Sequence, residues 1–157
     1  MTFNELKVKD FEEIGKILFT SFYDLDETDI SEYEKKLHIT LYINKGKKID
    51  FIHVPGLAPS ETLFKNAMYR WQKLRFSKEE KEKLYNGKTG TWFDLYEEAF
   101  IRETNRRNFK IAYNRLKELL DQGVNIIAVC YCRDYRFCHR SILAKMLENE
   151  GYEVILR

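Results

Sequence analysis

The stretch Ile126–Arg140, reading IIAVCYCRDYRFCHR, constrains the fold more than any other part of the chain. Residues Ile126 to Cys130 are apolar or small without a break, as in a strand buried on both faces. The loop that follows, Cys132–Arg140, holds Arg133, Arg136 and Arg140, two more cysteines and His139. Beyond it Ile142, Leu143, Met146 and Leu147 recur at helical spacing until Gly151. Buried strand, polar loop and amphipathic helix in that order put the loop at the carboxyl end of a strand and the amino end of a helix. Open α/β sheets bind ligands there, and the helix dipole favours anions.

The chain of 157 residues has the length of one domain, 1–157, with enough apolar surface for a core. A net charge of +2 restricts any basic patch to a local feature, so it does not mark the whole protein as a nucleic-acid or membrane binder. No apolar run has the length of a membrane span, so no membrane partner is expected. Asp10, Glu12 and Glu13 are unlike a signal peptide. Three cysteines in one short stretch suit a reducing compartment, and a cytoplasmic location is expected. The aromatic share of 15% points to a core or cleft built on rings.

Read in order, Thr2 and Glu5 have capping-box spacing, and Ile17–Phe22 is the first strand candidate. The acidic segment Asp24–Glu34 reads as a solvated loop ending in a short helix. Ile39, Leu41 and Ile43 alternate as a second strand before the turn Asn44-Lys45-Gly46, and Ile49–Val54 forms a third before Pro55-Gly56. Ser60 caps a helix running to about Leu74; Ser77 with Glu80 opens another that Gly87 ends. Trp92–Thr104 carries acids early and a base late, as the helix dipole prefers. Phe109, Ala112, Leu116, Leu119 and Leu120 make a helical stripe closed by Gly123. Strand Val124–Cys130, helix Ser141–Glu150 and strand Tyr152–Leu156 complete the chain as a parallel βαβ unit. The expected fold is therefore a single α/β domain, a helix-flanked and mostly parallel sheet of the Rossmann-like three-layer kind, with a helical insertion in mid-chain.

Three segments carry a resemblance. Cys130 at a strand end followed by Cys138-His139-Arg140 and a helix opening Ser141-Ile142-Leu143-Ala144 resembles the signature of the domain-of-unknown-function 488 family. Leu18–Phe22 resembles that family's first strand, and Leu57-Ala58-Pro59-Ser60 its Leu-Ala-Pro-Ser segment. Where members often carry a glutamate two residues after the strand-ending cysteine, this chain has Cys132. Where they tend to have an arginine after the second strand, it has Asn44 and Lys45. The resemblance implies a fold and a site rather than a reaction.

Within that frame Cys138, near a helix amino terminus beside arginines, is a candidate nucleophile or a buried brace for the loop. His139 is the candidate general acid/base, against a plain role as helix cap. Arg140 could hold a phosphate bidentately, with Arg136 and Arg133 adding positive charge; pairing with a surface acid is the plain reading. Thr20 and Ser21 end the first strand and His53 the third, so in a parallel sheet they share a rim with this loop, near Pro59 and Ser60. Cys130 reads as a packed structural thiol: its C-x5-R spacing to Arg136 is that of a phosphatase cradle, but the loop lacks the glycine that would let backbone amides converge on an anion. Zinc at Cys130, Cys132, Cys138 and His139 is disfavoured because the ligands lack the usual two-residue gaps, and no metal ligand is assigned. His38 reads as a surface residue. Tyr69, Trp71, Trp92, Phe93 and Tyr96 read mostly as core, with a few available to stack a base, and Arg102–Arg107 as a solvated helix junction. The expected function is an enzyme acting on a nucleotide or other phosphorylated small molecule at Cys132–Arg140. The alternative is a non-catalytic nucleotide- or nucleic-acid-binding module, and the third a zinc-binding variant.

Overall fold

A computed structural model describes residues 14–26, 31–42, 51–73 and 91–157. Its centre is a five-stranded, all-parallel sheet: β1 (Lys16–Ser21), β2 (Lys35–His38), β3 (Ile52–His53), β4 (Ile126–Cys130) and β5 (Glu153–Leu156), in the spatial order β3-β2-β4-β1-β5. Helices α1 (Glu61–Tyr69), α2 (Trp92–Glu103) and α3 (Arg107–Asp121) lie between β3 and β4 in sequence, and α4 (His139–Asn149) joins β4 to β5. The chain is thus an α/β protein with its helical insertion in mid-chain. No described helix is long and apolar enough to cross a membrane.

The unbroken apolar run of β4 has its explanation in its place. It sits between β1 and β2, pairing Ile126 with both Ile17 and Lys35 and running to Ser21↔Cys130 on one side and His38↔Val129 on the other. All five of its residues are buried. Alternation then splits the strands between two clusters. Ile17, Phe19, Leu37, Ile126, Ala128 and Cys130 join the main core with residues from all four helices. Leu18, Ile127 and Val129 face the other way, against Tyr33, Phe22, Leu25 and Phe51.

Caps set the helix bounds. Ser60 accepts from Leu63 N at the start of α1, and Thr91 from Phe93 N at the start of α2. Gly123 (φ 86) and Gly151 (φ 92) end α3 and α4 in the left-handed region, where the next residue's N–H, Val124 or Tyr152, turns back to the helix at 3.0 and 3.1 Å. At Gly15 a Cβ would lie 2.0 Å from the Val124 carbonyl oxygen, so only glycine lets β1 begin against the end of α3.

Several boundaries differ from those expected. The second strand lies at Lys35–His38 rather than 39–43: Leu37 and Ile39 both point into the core, but backbone pairing with β4 ends at His38 and the chain bends away at Thr40–Tyr42. The third strand pairs only at Ile52–His53. The helix begun by Ser60 ends at Tyr69, followed by a 3-10 turn at Trp71–Lys73. The turn at 44–46 and the helices expected at 2–15 and 77–87 fall wholly or mostly outside the described residues. Helix α4 starts at His139, two residues before the expected Ser141, which places His139 and Arg140 in its first turn.

Candidate functional site

The polar loop after β4 doubles back on itself. Asp134 accepts from Arg136 N (3.0 Å) and opens a 3-10 turn, Tyr135–Phe137; Cys138 N then bonds Tyr135 O at 3.2 Å. Cys138 is extended and caps α4, with the Ser141 hydroxyl donating to its carbonyl at 2.8 Å. The turn returns Cys138 to the end of β4, where its Sγ lies 3.1 Å from that of Cys130. The Cys132 Sγ completes a group in which all three sulfurs lie within 4.8 Å of one another.

Behind this group sits Arg140, the largest fully buried side chain, at 0% exposure. Its guanidinium donates to the carbonyls of Cys132 (2.7 Å), Arg133 (3.4 Å) and Arg157 (2.9 Å) and to the Cys130 sulfur (3.1 Å). No Asp or Glu side chain pairs with it among the described residues. A buried guanidinium left without an anion costs several kcal/mol, and the Cys130 sulfur at 3.1 Å is a group that can supply one. The electrostatics agree. Hydrogen bonds from Cys132 and Cys138, with Arg140 alongside, hold the Cys130 thiol well below the usual range despite burial. Hydrogen bonding to Cys130 pushes Cys132 up to about 12, and burial pushes Cys138 well up. Of the three sulfurs, Cys130 is the one whose thiolate form the surroundings favour.

His139 is buried, and burial lowers its pKa, keeping the imidazole neutral. Its Nε2 lies 2.7 Å from the Ile39 carbonyl oxygen, which can only accept. The ring hydrogen is therefore on Nε2, and bare Nδ1 faces the Cys138 sulfur at 3.7 Å.

The sulfurs form part of the floor of a cleft of about 440 Å³. Its walls are Thr40, Leu41 and Tyr42 beyond β2, Pro59, Phe64, Ala67 and Met68 of α1, Tyr96 of α2, and Phe137. No arginine or lysine is among these lining residues. Of the candidates read from the sequence, Cys138, His139 and Pro59 meet in the cleft. Arg140 lies behind it. Ser60 stands beside it and ties α1 to α2, its backbone N–H donating to Glu103 at 2.9 Å and its hydroxyl bonding the same carboxylate. Arg136 is exposed and paired with Asp134 (2.7 Å), and Arg133 is exposed with its guanidinium 4.3 Å over the Tyr23 ring. Ser21 is buried, bonded to Asp24 (3.1 Å) and paired in register with Cys130.

Thr20 and His53 belong to the opposite face. Thr20 Oγ1 is buried with no hydrogen-bond partner among the described residues, and His53 Nε2 donates to the Thr40 carbonyl at 2.6 Å. His38, expected at the surface, is 3% exposed: it is the last residue of β2, enclosed by β3, β4 and the Phe22 ring, while Lys35 stays exposed. Of the five aromatics weighed for a cleft only Tyr96 lines it; Tyr42, Phe64 and Phe137 join it instead. In the Arg102–Arg107 run, Arg106 donates to the carbonyls of Ala58 (3.0 Å) and Glu103 (3.1 Å), and Arg102 pairs with Glu98. Cys130, read from the sequence as a packed structural thiol, is buried and also lines the cleft, as the last core-facing position of the central strand.

A family model described as the active DUF488-N3 subclade, DUF488-N3a, matches residues 29–151, from ahead of β2 to the end of α4. No curated protein and no solved structure matches the chain.

Proposed function

The chain belongs to the DUF488-N3a family, the active DUF488-N3 subclade, and from that premise we propose that it is a thiolate-dependent enzyme with Cys130 as nucleophile. One observation carries the reading: the fully buried Arg140 donates to the Cys130 sulfur on the floor of a cleft, with no Asp or Glu side chain as rival partner among the described residues. In this reading Arg140 does not clasp the ligand; it fixes the charge of the nucleophile, pins the loop through the carbonyls of Cys132 and Arg133, and ties it to Arg157 after β5. Cys138, expected as nucleophile or brace, is the brace, its neutral thiol donating to Cys130. His139 holds the strand exit at Ile39 and keeps its bare Nδ1 3.7 Å from the Cys138 sulfur. The thiolate attacks an electrophilic centre of the ligand, the bond to the leaving group breaking as the bond to sulfur forms, and water then displaces the thiolate to release the product.

The lining says which part of the ligand enters. Tyr42, Phe64, Tyr96 and Phe137 suit a flat ring rather than a phosphate. A nucleotide therefore fits base-first, its phosphate left at the mouth toward exposed Arg133. A binding module would use the same cleft without the sulfur.

The test pairs covalent labelling with turnover. Limiting iodoacetamide should modify Cys130 ahead of Cys132 and Cys138, read by peptide mass spectrometry. Cys130→Ser should lower turnover of the best substrate in a nucleotide panel by about a thousandfold or more while changing its affinity little. Full turnover in Cys130→Ser would sink the enzyme reading, and binding without turnover in the wild type would favour the module.

A further inference from the structure

We propose that the sulfurs of Cys130, Cys132 and Cys138 form a binding site for a thiophilic divalent cation with a filled d shell, zinc first among them. Counted along the chain, Cys-x-Cys followed by an adjacent Cys-His pair is a poor zinc pattern. The fold removes that objection, because the 3-10 turn carries Cys138 back to the end of β4. The sulfurs lie within 4.8 Å of one another, with 3.1 Å between Cys130 and Cys138. Three thiolates about 2.3 Å from a tetrahedral zinc stand roughly 3.8 Å apart, within the span the group already covers.

A second observation comes from a different residue. His139 donates its Nε2 hydrogen to the Ile39 carbonyl at 2.7 Å, leaving Nδ1 bare and 3.7 Å from the Cys138 sulfur. A metal-bound imidazole needs that tautomer and that backbone anchor, so Nδ1 is the nearest fourth donor. The charges also close. Three thiolates (−3), the Arg140 guanidinium (+1) and a divalent ion (+2) sum to zero, whereas a monovalent ion would leave the buried group at −1.

The inference does not depend on the proposed reaction, although an ion on Cys130 would compete with any electrophile for that sulfur. The experiment titrates the reduced, metal-freed chain with Co²⁺ and then displaces it with Zn²⁺ against a chromogenic chelator. The expected result is one Co²⁺ per chain with intense sulfur-to-cobalt charge-transfer absorption, bleached by one equivalent of zinc. Zinc should also shield all three thiols from iodoacetamide. Cys132→Ser, at an exposed position, should weaken zinc at least about 100-fold, and His139→Gln about 10-fold. Absence of the charge-transfer band, or unchanged affinity in Cys132→Ser, overturns the proposal. Should that variant not fold, the wild type decides: fewer than three thiols shielded by zinc overturns it equally. Failure here with Cys130 still labelled in the metal-free chain removes the metal alone, and an unreactive Cys130 in that chain removes the proposed enzyme alone.

Discussion

The two faces of the sheet's carboxyl rim are built from neighbouring residues of the same strands, yet they differ in kind. On one face Ser21, Cys130 and Ile39 meet a buried guanidinium, three sulfurs and an open cleft. On the other, Thr20, Val129, His38 and His53 follow one another across four strands in register. There the polar groups around His38 satisfy one another, while Thr20 Oγ1 stays without a hydrogen-bond partner among the described residues. Thr40 gives its one hydrogen to the Tyr42 carbonyl (2.8 Å), so it accepts from His38 Nδ1 at 2.6 Å; His38 Nε2 then accepts from the Tyr131 hydroxyl at 3.2 Å. Rings of Phe22 and Tyr131 pack against His38 at 4.9 and 5.2 Å. One face concentrates a charge beneath a cleft, and the other resolves a chain of neutral hydrogen bonds among packed rings. The period-two alternation of β1 and β4 makes the difference: a slip of one residue would exchange the two.

The strongest way to break this contrast is to remove its charge. Arg140→Ala strips the cluster of its cation and leaves three carbonyls without their donor. It should cost about 3–5 kcal/mol in urea unfolding, the scale of breaking a buried pair. A loss below about 1 kcal/mol would mean that Arg140 and Cys130 are not a compensated pair.

Next is the cleft wall. Ser60→Ala removes the cap of α1 and the hydroxyl that reaches Glu103, and should cost about 1–2 kcal/mol, read as a lower unfolding midpoint with an unchanged m-value. Because Pro59 precedes it in the cleft, weaker ligand affinity should accompany the loss.

The smallest effect belongs to the quiet face. His38→Phe keeps the ring packing and loses the relay; about 1 kcal/mol should go, with iodoacetamide labelling of Cys130 unchanged. Its pH behaviour sharpens the point. Burial, then the neighbouring His53, lower the His38 pKa below the usual 6.5, so the unfolded chain takes up this proton first as pH falls. Stability from this residue is full above about pH 6.5 and declines below it until the folded chain also protonates. In His38→Phe that part of the acid decline should vanish from a stability–pH series. An identical decline in both proteins would place the titration elsewhere.

Much of this architecture was legible beforehand because it is local. The apolar run 126–130, the serine ahead of α1 and the glycines after α3 and α4 act within a few positions of themselves. What escaped was long-range. Arg140 carries the same local signal whether it meets a phosphate or a carbonyl; its burial follows from Arg157, seventeen residues on, and from the end of β4. Cys138 looked the more reactive thiol because it precedes a helix. Burial pushes the Cys138 thiol up, and the three-dimensional return of the loop sets it against Cys130, which in sequence is only the last letter of an apolar run. His38 sits beside two lysines and reads as surface until β3 and β4 close around it.

The position of β4 has a consequence for how the molecule is made. β1 and β2 never pair with each other; the strand that lies between them arrives more than eighty residues after β2. While the chain emerges, β3 can join β2, but nothing links them to β1, and the central slot stays vacant until residue 130 has been synthesised. Seating β4 then joins the sheet, delivers Cys130 to its place and sets the start of the loop that buries Arg140. Such late, non-local closure favours slow, concerted assembly. Partly made chains should therefore lack the preference for labelling Cys130, rather than acquire it by degrees.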